Sequence, residues 1–542
     1  MAIFTPSQSP AVTLREIDLT GVVPNAQSTT GVFVGDFSWG PIEKPVLIST
    51  EAELAATFGT PNTTNNADYI AAANYLRYSN SLYVIRAATG TAVNAADTIG
   101  DAQQIKDKEA FDATTFSSNE KFLARYAGTF GNSIRVDYSN NGATVPSGNN
   151  SAFTAEFDTD AGSGELHVLV IDEDGSITGT SGTVLERFAY LSTTAGAQRS
   201  DGSSSYYQTV INEKSNYIYM VGDSDGIFDS AESISLSGGV NSGTLTTGAI
   251  ATAFDEIENT EAYEVDFLIA PGMSSEANQV TVTNDLISIA SSTRKDCVVV
   301  SSPNRAAVVD NAGSEVTATK TTTDQFTASS YLVVDNAWLK CYDKYNDQYV
   351  WVPGASSTAG VMALSDLNTA PWYSPAGTRR GQYLGVTALA YNPTKAQRDT
   401  LYKAGVNPVV NIAGNGITLF GDKTKVSGVS AFNRINVRRL FLAIERSIGR
   451  AAQNVMFEFN DEFTRAEFVN VVEPFLREIK GRRGITDFRV LCDETNNTPA
   501  VVDRNEFIAS IFVKPARSIN FVTLNFVAVR TGVNFEEVVG TV

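Results

Sequence analysis

The stretch "GVFVGDFSWGPIEKPVLIST", Gly31 to Thr50, decides how the chain is read. Two runs with β-branched content, "TTGVFVG" and "PVLIST", flank Gly40-Pro41, so the segment predicts strand, turn, strand. Its glycines do not form GxGxxG, and no helix opens directly behind them, as a pyrophosphate site requires. A hairpin-like turn without chemistry is the better account.

Working outward, "STEAELAATFG" carries Ser49 or Thr50 as N-cap, Glu51 and Glu53 in the first turn, and Gly59 as its stop. "NADYIAAANYLRYS" reads as a second helix with Tyr69, Ala72, Ala73 and Leu76 on one stripe, and "SLYVIRAA" as a strand. This β-β-α-α-β run predicts an α/β layer. The same grammar returns in "AIATAFDEIENTEAYEVDFLIAPG", "VTNDLISIASSTR" and "KDCVVVSSP", whose apolar strands suggest parallel neighbours in a covered sheet. Between the two, Ser, Thr, Gly, Asn and Asp dominate, and short candidates such as "SIRVDYS", "ELHVLVID", "ERFAYLS" and "NYIYMVG" predict an all-β insertion. The expected fold class is therefore multidomain α/β and α+β. Residues 1–22 would be an extended N-terminal arm, 23–88 and 249–377 a discontinuous α/β domain, and 89–248 the β-rich insertion. Residues 378–530 would form a C-terminal α+β domain, and 531–542 an extended C-terminal arm.

In that last domain "NRINVRRLFLAIERSIGRAAQ" is the clearest helix, with Val437, Leu440, Phe441, Ile444, Ile448 and Ala451 on its apolar stripe. "TRAEFVNVVEPFLREIKGRRG" predicts a second helix. Thr464 and Glu467 would form its capping box, and Phe468, Val471, Phe475 and Ile479 its stripe. Pro474 should kink it or split it in two. Strands are expected in "DFRVLCD", "NEFIASIFVKP" and "SINFVTLNFVAVR".

Composition narrows function. The chain has 542 residues, one histidine (His167) and three distant cysteines (Cys297, Cys341 and Cys492) without CxxC spacing. Zinc sites and Ser-His-Asp triads need a histidine with helpers placed around it, and His167 in an alternating strand reads as structural. A metallohydrolase or a triad enzyme is therefore disfavoured, and no cofactor is expected. "GNGITLFGDKT" at 414–424 misses the GxxxxGK[ST] spacing. "DEDG" (Asp172–Gly175) and "DSDG" (Asp223–Gly226) lack the glutamate that closes a calcium loop, so both read as turns. No apolar run is long enough to cross a bilayer, and the first residues do not look like a signal peptide, so a cytosolic origin is expected.

The net charge of −20 is unevenly spread. From Arg379 onward there are 22 Lys+Arg against 16 Asp+Glu, a balance of +6; the first 378 residues hold 18 against 44, a balance of −26. Such a chain is no general nucleic-acid binder, but it suggests surfaces with different neighbours. Arg434, Arg438, Arg439, Arg446 and Arg450 accompany the first C-terminal helix, opposed only by Glu445. A solvated face is the plain reading, and a docking surface for an acidic partner the sharper one. Lys480, Arg482 and Arg483 form a lesser cluster that complements a helix C-terminus equally well.

Seven segments in order carry a family resemblance: "SPAVTLREID", "TTGVFVGDFSWGPIEKPVLIST", "LIAPG", "WVPGASSTAGVMALSDLNTAPWYSPAG", "AGNGITLFGDKT", "NVRRLFLAIERSIGRAAQNVMFEFND" and "TRAEFVNVVEPFLREIKGRRGI". Together they resemble the tail sheath proteins of contractile-tailed bacteriophages over most of the chain outside 89–248. Arg465, where an aromatic is expected, and Pro474 depart from the pattern.

The resemblance implies a virion protein without enzymatic activity, assembled in the host cytoplasm as six-membered rings stacked helically around a tail tube. Contraction would drive the tube through the host envelope. Baseplate and tail terminator proteins would be further partners, with no nucleic acid and no direct membrane insertion. It also implies a subtilisin-like, non-catalytic middle domain, an outward-pointing insertion and a tube-facing C-terminal domain. The arginine helix would then meet the tube. The arms, through Val12, Leu14, Ile17, Leu19, Val533, Phe535 and Val538, would add strands to neighbouring subunits. The other readings are the sheath of a phage-derived injection machine (pyocin-type or type VI secretion), an α/β hydrolase-like enzyme and a surface adhesin.

Overall fold

The structure is a computed structural model that describes residues 29–97, 103–116, 121–140, 161, 164–221, 232–428 and 430–520. The seven arm residues from Val12 to Val538 named above, the "DSDG" turn and most of "SINFVTLNFVAVR" lie outside these.

The α/β unit is built on six strands: β1 (Gly31–Gly35), β2 (Val46–Ile48), β3 (Leu82–Arg86), β4 (Phe267–Ile269), β5 (Val298–Ser301) and β6 (Leu332–Val334). They lie in the order β6-β5-β4-β1-β3-β2, all parallel except β2. Counting the parallel strands alone, this is the 2-1-3-4-5 order of doubly wound sheets. Helices cover both faces. On one lie α1 (Glu51–Phe58), α2 (Asn66–Leu76) and, from later in the chain, Ala355–Asn368, packed on Phe33, Val84, Ile269 and Val300. Thr247–Asp255 and Glu276–Ser288 cover the other, packed on Val32, Val34, Leu268 and Val299. The near-continuous burial of β1, β4 and β5 is what a sheet covered on both faces demands.

The opening stretch is corrected in one respect. Gly40 does turn the chain, at φ 98 and with Phe58 Cδ1 2.7 Å from where a Cβ would stand, a position only glycine fills. The flanking strands, however, do not pair with each other, because β3 lies between them. Fully buried β1 needs a partner on each side, and a parallel crossover through α1 and α2 supplies one. The half-exposed β2 is left to the edge. Of the two expected N-caps, Ser49 and Thr50, it is Thr50 that caps α1, its side chain accepting from the Glu53 N–H.

The insertion contains the expected strands at Ile134–Asn140, Glu165–Asp172, Thr183–Ser192 and Ile218–Met220, and also a helix, Tyr207–Lys214, that the strand pattern did not announce. Its core is formed by Val136, Val168, Val170, Leu191 and Ile211, with Trp39 of the α/β segment packed into it. Further on, Leu401, Val406, Val409, Ile417 and Leu419 join the two cores of the α/β unit. The chain between 378 and about 425 therefore packs with that unit rather than with the C-terminal one.

The C-terminal unit pairs two long helices, Ile435–Gln453 and Glu462–Gly481, with a two-stranded antiparallel sheet, Ile485–Leu491 and Ser510–Pro515. We call the helix Ala355–Asn368 α3, Ile435–Gln453 α4 and Glu462–Gly481 α5, and the two strands β7 and β8. In α5 the N-cap is Asp461, whose carboxylate accepts the Thr464 N–H, so the expected Thr464–Glu467 capping box falls inside the helix. Pro474 stays within one unbroken helix. The buried stripe of α5 is Phe468, Val472, Leu476 and Ile479, one position on from the expected Val471 and Phe475 at its centre. It meets Leu440, Ile444 and Ile448 of α4. The opposite side of α4, through Ile435 and Leu442, enters the α/β core. One helix thus belongs to two hydrophobic cores.

Candidate functional site

The joint made by α4 is where the expected cationic face lies, and the structure corrects that expectation. All five arginines are turned toward the chain's own groups. Arg434 sits at the N-cap of α4 and donates to Asp422 at 2.6 Å. The Arg438 guanidinium lies between the rings of Tyr331 and Phe432, 4.3 and 4.2 Å from their centroids, and donates to Ser330 Oγ at 3.0 Å. Arg439 is ion-paired with Asp366 at the end of α3, donates to the Met362 carbonyl at 3.1 Å and lies over Phe267. Arg446 pairs with Asp266 and donates to the carbonyls of Val265 (2.8 Å) and Asp296 (3.0 Å), which lie just before β4 and β5. Arg450 pairs with Glu264 at the more exposed end.

The physical reason is burial. A helix packed between two cores exposes little of its circumference, so its cations must find partners on the facing unit. Arg438 and Arg439 are only 7% and 4% exposed, which leaves no open cationic stripe. The lesser cluster divides. Lys480 pairs with Asp487 at 3.3 Å. Arg482 lies over Trp372 and donates to the Thr369 carbonyl at 3.0 Å. Arg483, at φ 64, lines a cleft between the units. Sequence reasoning found the arginines but missed Asp266, Asp366 and Asp422, single acids with no local pattern. Arg465, the departure from the family pattern, donates to Asn460 Oδ1 at 2.8 Å.

The remaining motifs have structural uses. His167 is buried, and its Nδ1 accepts the Tyr190 N–H at 3.1 Å. Asp172 of "DEDG" accepts from Ser133 Oγ (2.6 Å) and from the N–H groups of Gly175 (3.1 Å) and Thr178 (2.7 Å), tying a turn. "GNGITLFGDKT" forms part of a β-hairpin, Val409–Ile412 with Gly416–Leu419, that leads to Asp422. The three cysteines are buried and unpaired, and burial pushes the Cys297 thiol up, away from reactivity. Among the described residues no three His, Cys, Asp or Glu side chains gather as metal ligands would, and no helix is long and apolar enough to cross a membrane.

Comparison with known proteins bears on this joint directly. The model of the phage tail sheath protein central domain matches residues 243–425, and that of the phage tail sheath C-terminal domain matches 429–528, with the change falling just before α4. The tail sheath protein of Vibrio phage KVP40 is 31% identical, over 98% of this chain and 99% of its own length. This chain belongs to the phage tail sheath family. The tail sheath protein of Enterobacteria phage T4 is 32% identical over the same shares of the two chains. Among solved structures, a sheath tail protein from Listeria innocua aligns with a TM-score of 0.58 at 12% identity, covering 90% of this chain and 96% of that one. The sheath of an extracellular contractile injection system, PVC, in its contracted state aligns at 0.54 and 13%, covering 98% and 100%. At these identities the likeness is one of fold. This member of the family is a mixed α/β multidomain chain whose C-terminal unit is clamped to its central unit by arginines.

Proposed function

We propose that this sheath subunit polymerises as stacked six-membered rings around a tail tube, and that the lattice shortens and widens to drive the tube through a host envelope. The observation that carries this reading is identity near 30% with tail sheath proteins along almost the whole chain, rather than over one domain. The role is structural and mechanical, without catalysis. Baseplate, tube and tail terminator proteins are its partners, and assembly takes place in the host cytoplasm.

The arginine joint supports the mechanical part. A subunit that transmits force must not come apart at its own domain boundary, and buried charge pairs fix geometry where apolar contacts alone would permit sliding. The pair β7–β8 offers edges to which arms containing Val12, Leu14, Ile17, Leu19, Val533, Phe535 and Val538 of neighbouring subunits would add. Kinship of the middle unit to the subtilisin-like fold and an outward position for the insertion belong to the same proposal.

Negative-stain images of the purified protein, alone and with tubes, test the reading. Tubular polymers of regular width are expected. Monomers at all protein and salt concentrations would end it.

A further inference from the structure

The two ends of α4 carry surfaces of opposite character, and neither is covered by the described chain. At its C-terminal end, the connection to α5 and the first turn of α5 present Phe457, Phe459 and Phe463 at 101%, 84% and 75% exposure. Phe457 and Phe459 line a groove of about 850 Å³ floored by Ala452, Val455 and Phe507. Phe457 holds φ 71, a left-handed conformation strained for a bulky residue, and at full exposure it gains no packing among the described residues. The surrounding charge is negative: Glu458, Asp461, Glu462 and Asp503 are exposed and have no ion-pair partner among the described residues.

At the N-terminal end of α4 lies a cleft of about 560 Å³ lined by Asn436, Arg380, Arg483 and Arg517, with exposed Phe420 and Ile519 at its mouth. Asp422, the carboxylate in this cleft, is taken by Arg434, and the three lining arginines have no ion-pair partner among the described residues. Asn436 is buried, and its Oδ1 lacks a donor among the described residues.

An acidic aromatic tip and a cationic cleft with apolar lips are complementary in charge and in surface type. They cannot meet within one chain, because the 19 residues of α4 hold them about 28 Å apart. We propose that the tip of one copy docks in the arginine cleft of the next, a head-to-tail contact between C-terminal units. Such a heterologous contact repeats into a ring or a helix rather than closing as a dimer. The inference rests on the reading that the chain polymerises, and adds a contact that does not involve the terminal arms.

Charge reversal tests it on the full chain. Glu458→Arg with Asp503→Arg reverses the tip, and Arg483→Glu with Arg517→Glu reverses the cleft. All four positions are exposed, and circular dichroism should show both proteins folded. Each variant alone is expected to raise the protein concentration needed for polymers at least tenfold in sedimentation, and an equimolar mixture to restore it, since each reversed tip then finds a reversed cleft. Wild-type polymers with both variants assembling normally would overturn the contact while leaving the sheath reading intact. Impaired variants that do not complement each other would overturn it too. A wild-type chain that never polymerises would overturn both.

Discussion

Arg439 of α4 and Asp366 of α3 form an ion pair in which both side chains are buried, at 4% and 3% exposure. The pair joins a helix of the C-terminal unit to one of the α/β unit, and a guanidinium there cannot be left alone without its full desolvation cost. Arg439→Met is expected to cost about 3–5 kcal/mol, the usual range for breaking a buried pair from one side. Arg439→Met combined with Asp366→Leu should recover most of the loss, because no unpaired charge then remains. Denaturant midpoints of the two variants decide this, and a double variant as weak as the single would refute the clamp.

Two buried aspartates should give opposite pH slopes. Asp335 accepts from Ser302 Oγ (2.8 Å), the Ala337 N–H (3.0 Å) and Thr358 Oγ1 (2.6 Å), with no ion pair among the described residues. Burial, only partly offset by these bonds, pushes it up to about 6. The folded state therefore binds the proton more tightly than the unfolded one. Its contribution is fully present below about pH 4 and is lost as pH rises through 6. Between pH 4 and 7 the wild type should lose roughly 2–3 kcal/mol relative to Asp335→Asn. Identical pH profiles would refute this.

Asp422 behaves the other way. Burial raises it, but the Ser518 hydroxyl, Arg434 and Asn520 outweigh burial and hold it below the usual carboxylate range. Its contribution is present above the unfolded value near pH 4 and disappears as pH falls through the lower folded value. Asp422→Asn should therefore be weaker than wild type at pH 7 and converge with it in acid. Melting curves at pH 7 and 3 measure the difference, and an equal gap at both would count against the assignment.

Gly360 in α3 is a packing requirement. A Cβ there would stand 2.8 Å from Tyr78 Cγ, and the Tyr78 hydroxyl is fixed by accepting the Leu384 N–H at 2.6 Å. Alanine favours a helix over glycine by about 1 kcal/mol, yet overpacking of a filled core typically costs about 1–3 kcal/mol. Gly360→Ala is expected to be net destabilising in thermal melts, and a stabilised variant would show that Tyr78 can move.

Much of the fold was legible. Thr50 at a helix start, the stripe Leu440, Ile444 and Ile448, and the buried strands at 267–269 and 298–301 follow from local periodicity, because chain geometry alone puts those side chains on one face. What misled was orientation. Val471 and Phe475 appear equivalent to Val472 and Leu476 until the facing helix selects the stripe. The sheet order was likewise beyond local reading, since β1 and β2 are joined by a tight turn and still separated by β3.

By itself, then, the sequence determined the alternation of helices and strands, the poverty in histidine and cysteine that disfavours triad and zinc chemistry, and the concentration of arginine around one helix. The tertiary structure alone decided what those arginines do. Arg439 meets Asp366 across 73 residues, Arg446 meets Asp266 across 180, and Arg450 meets Glu264 across 186. A charge is committed by what packing brings within a few ångströms of it, where solvent is excluded and the attraction is strong, and distance along the chain carries no such information.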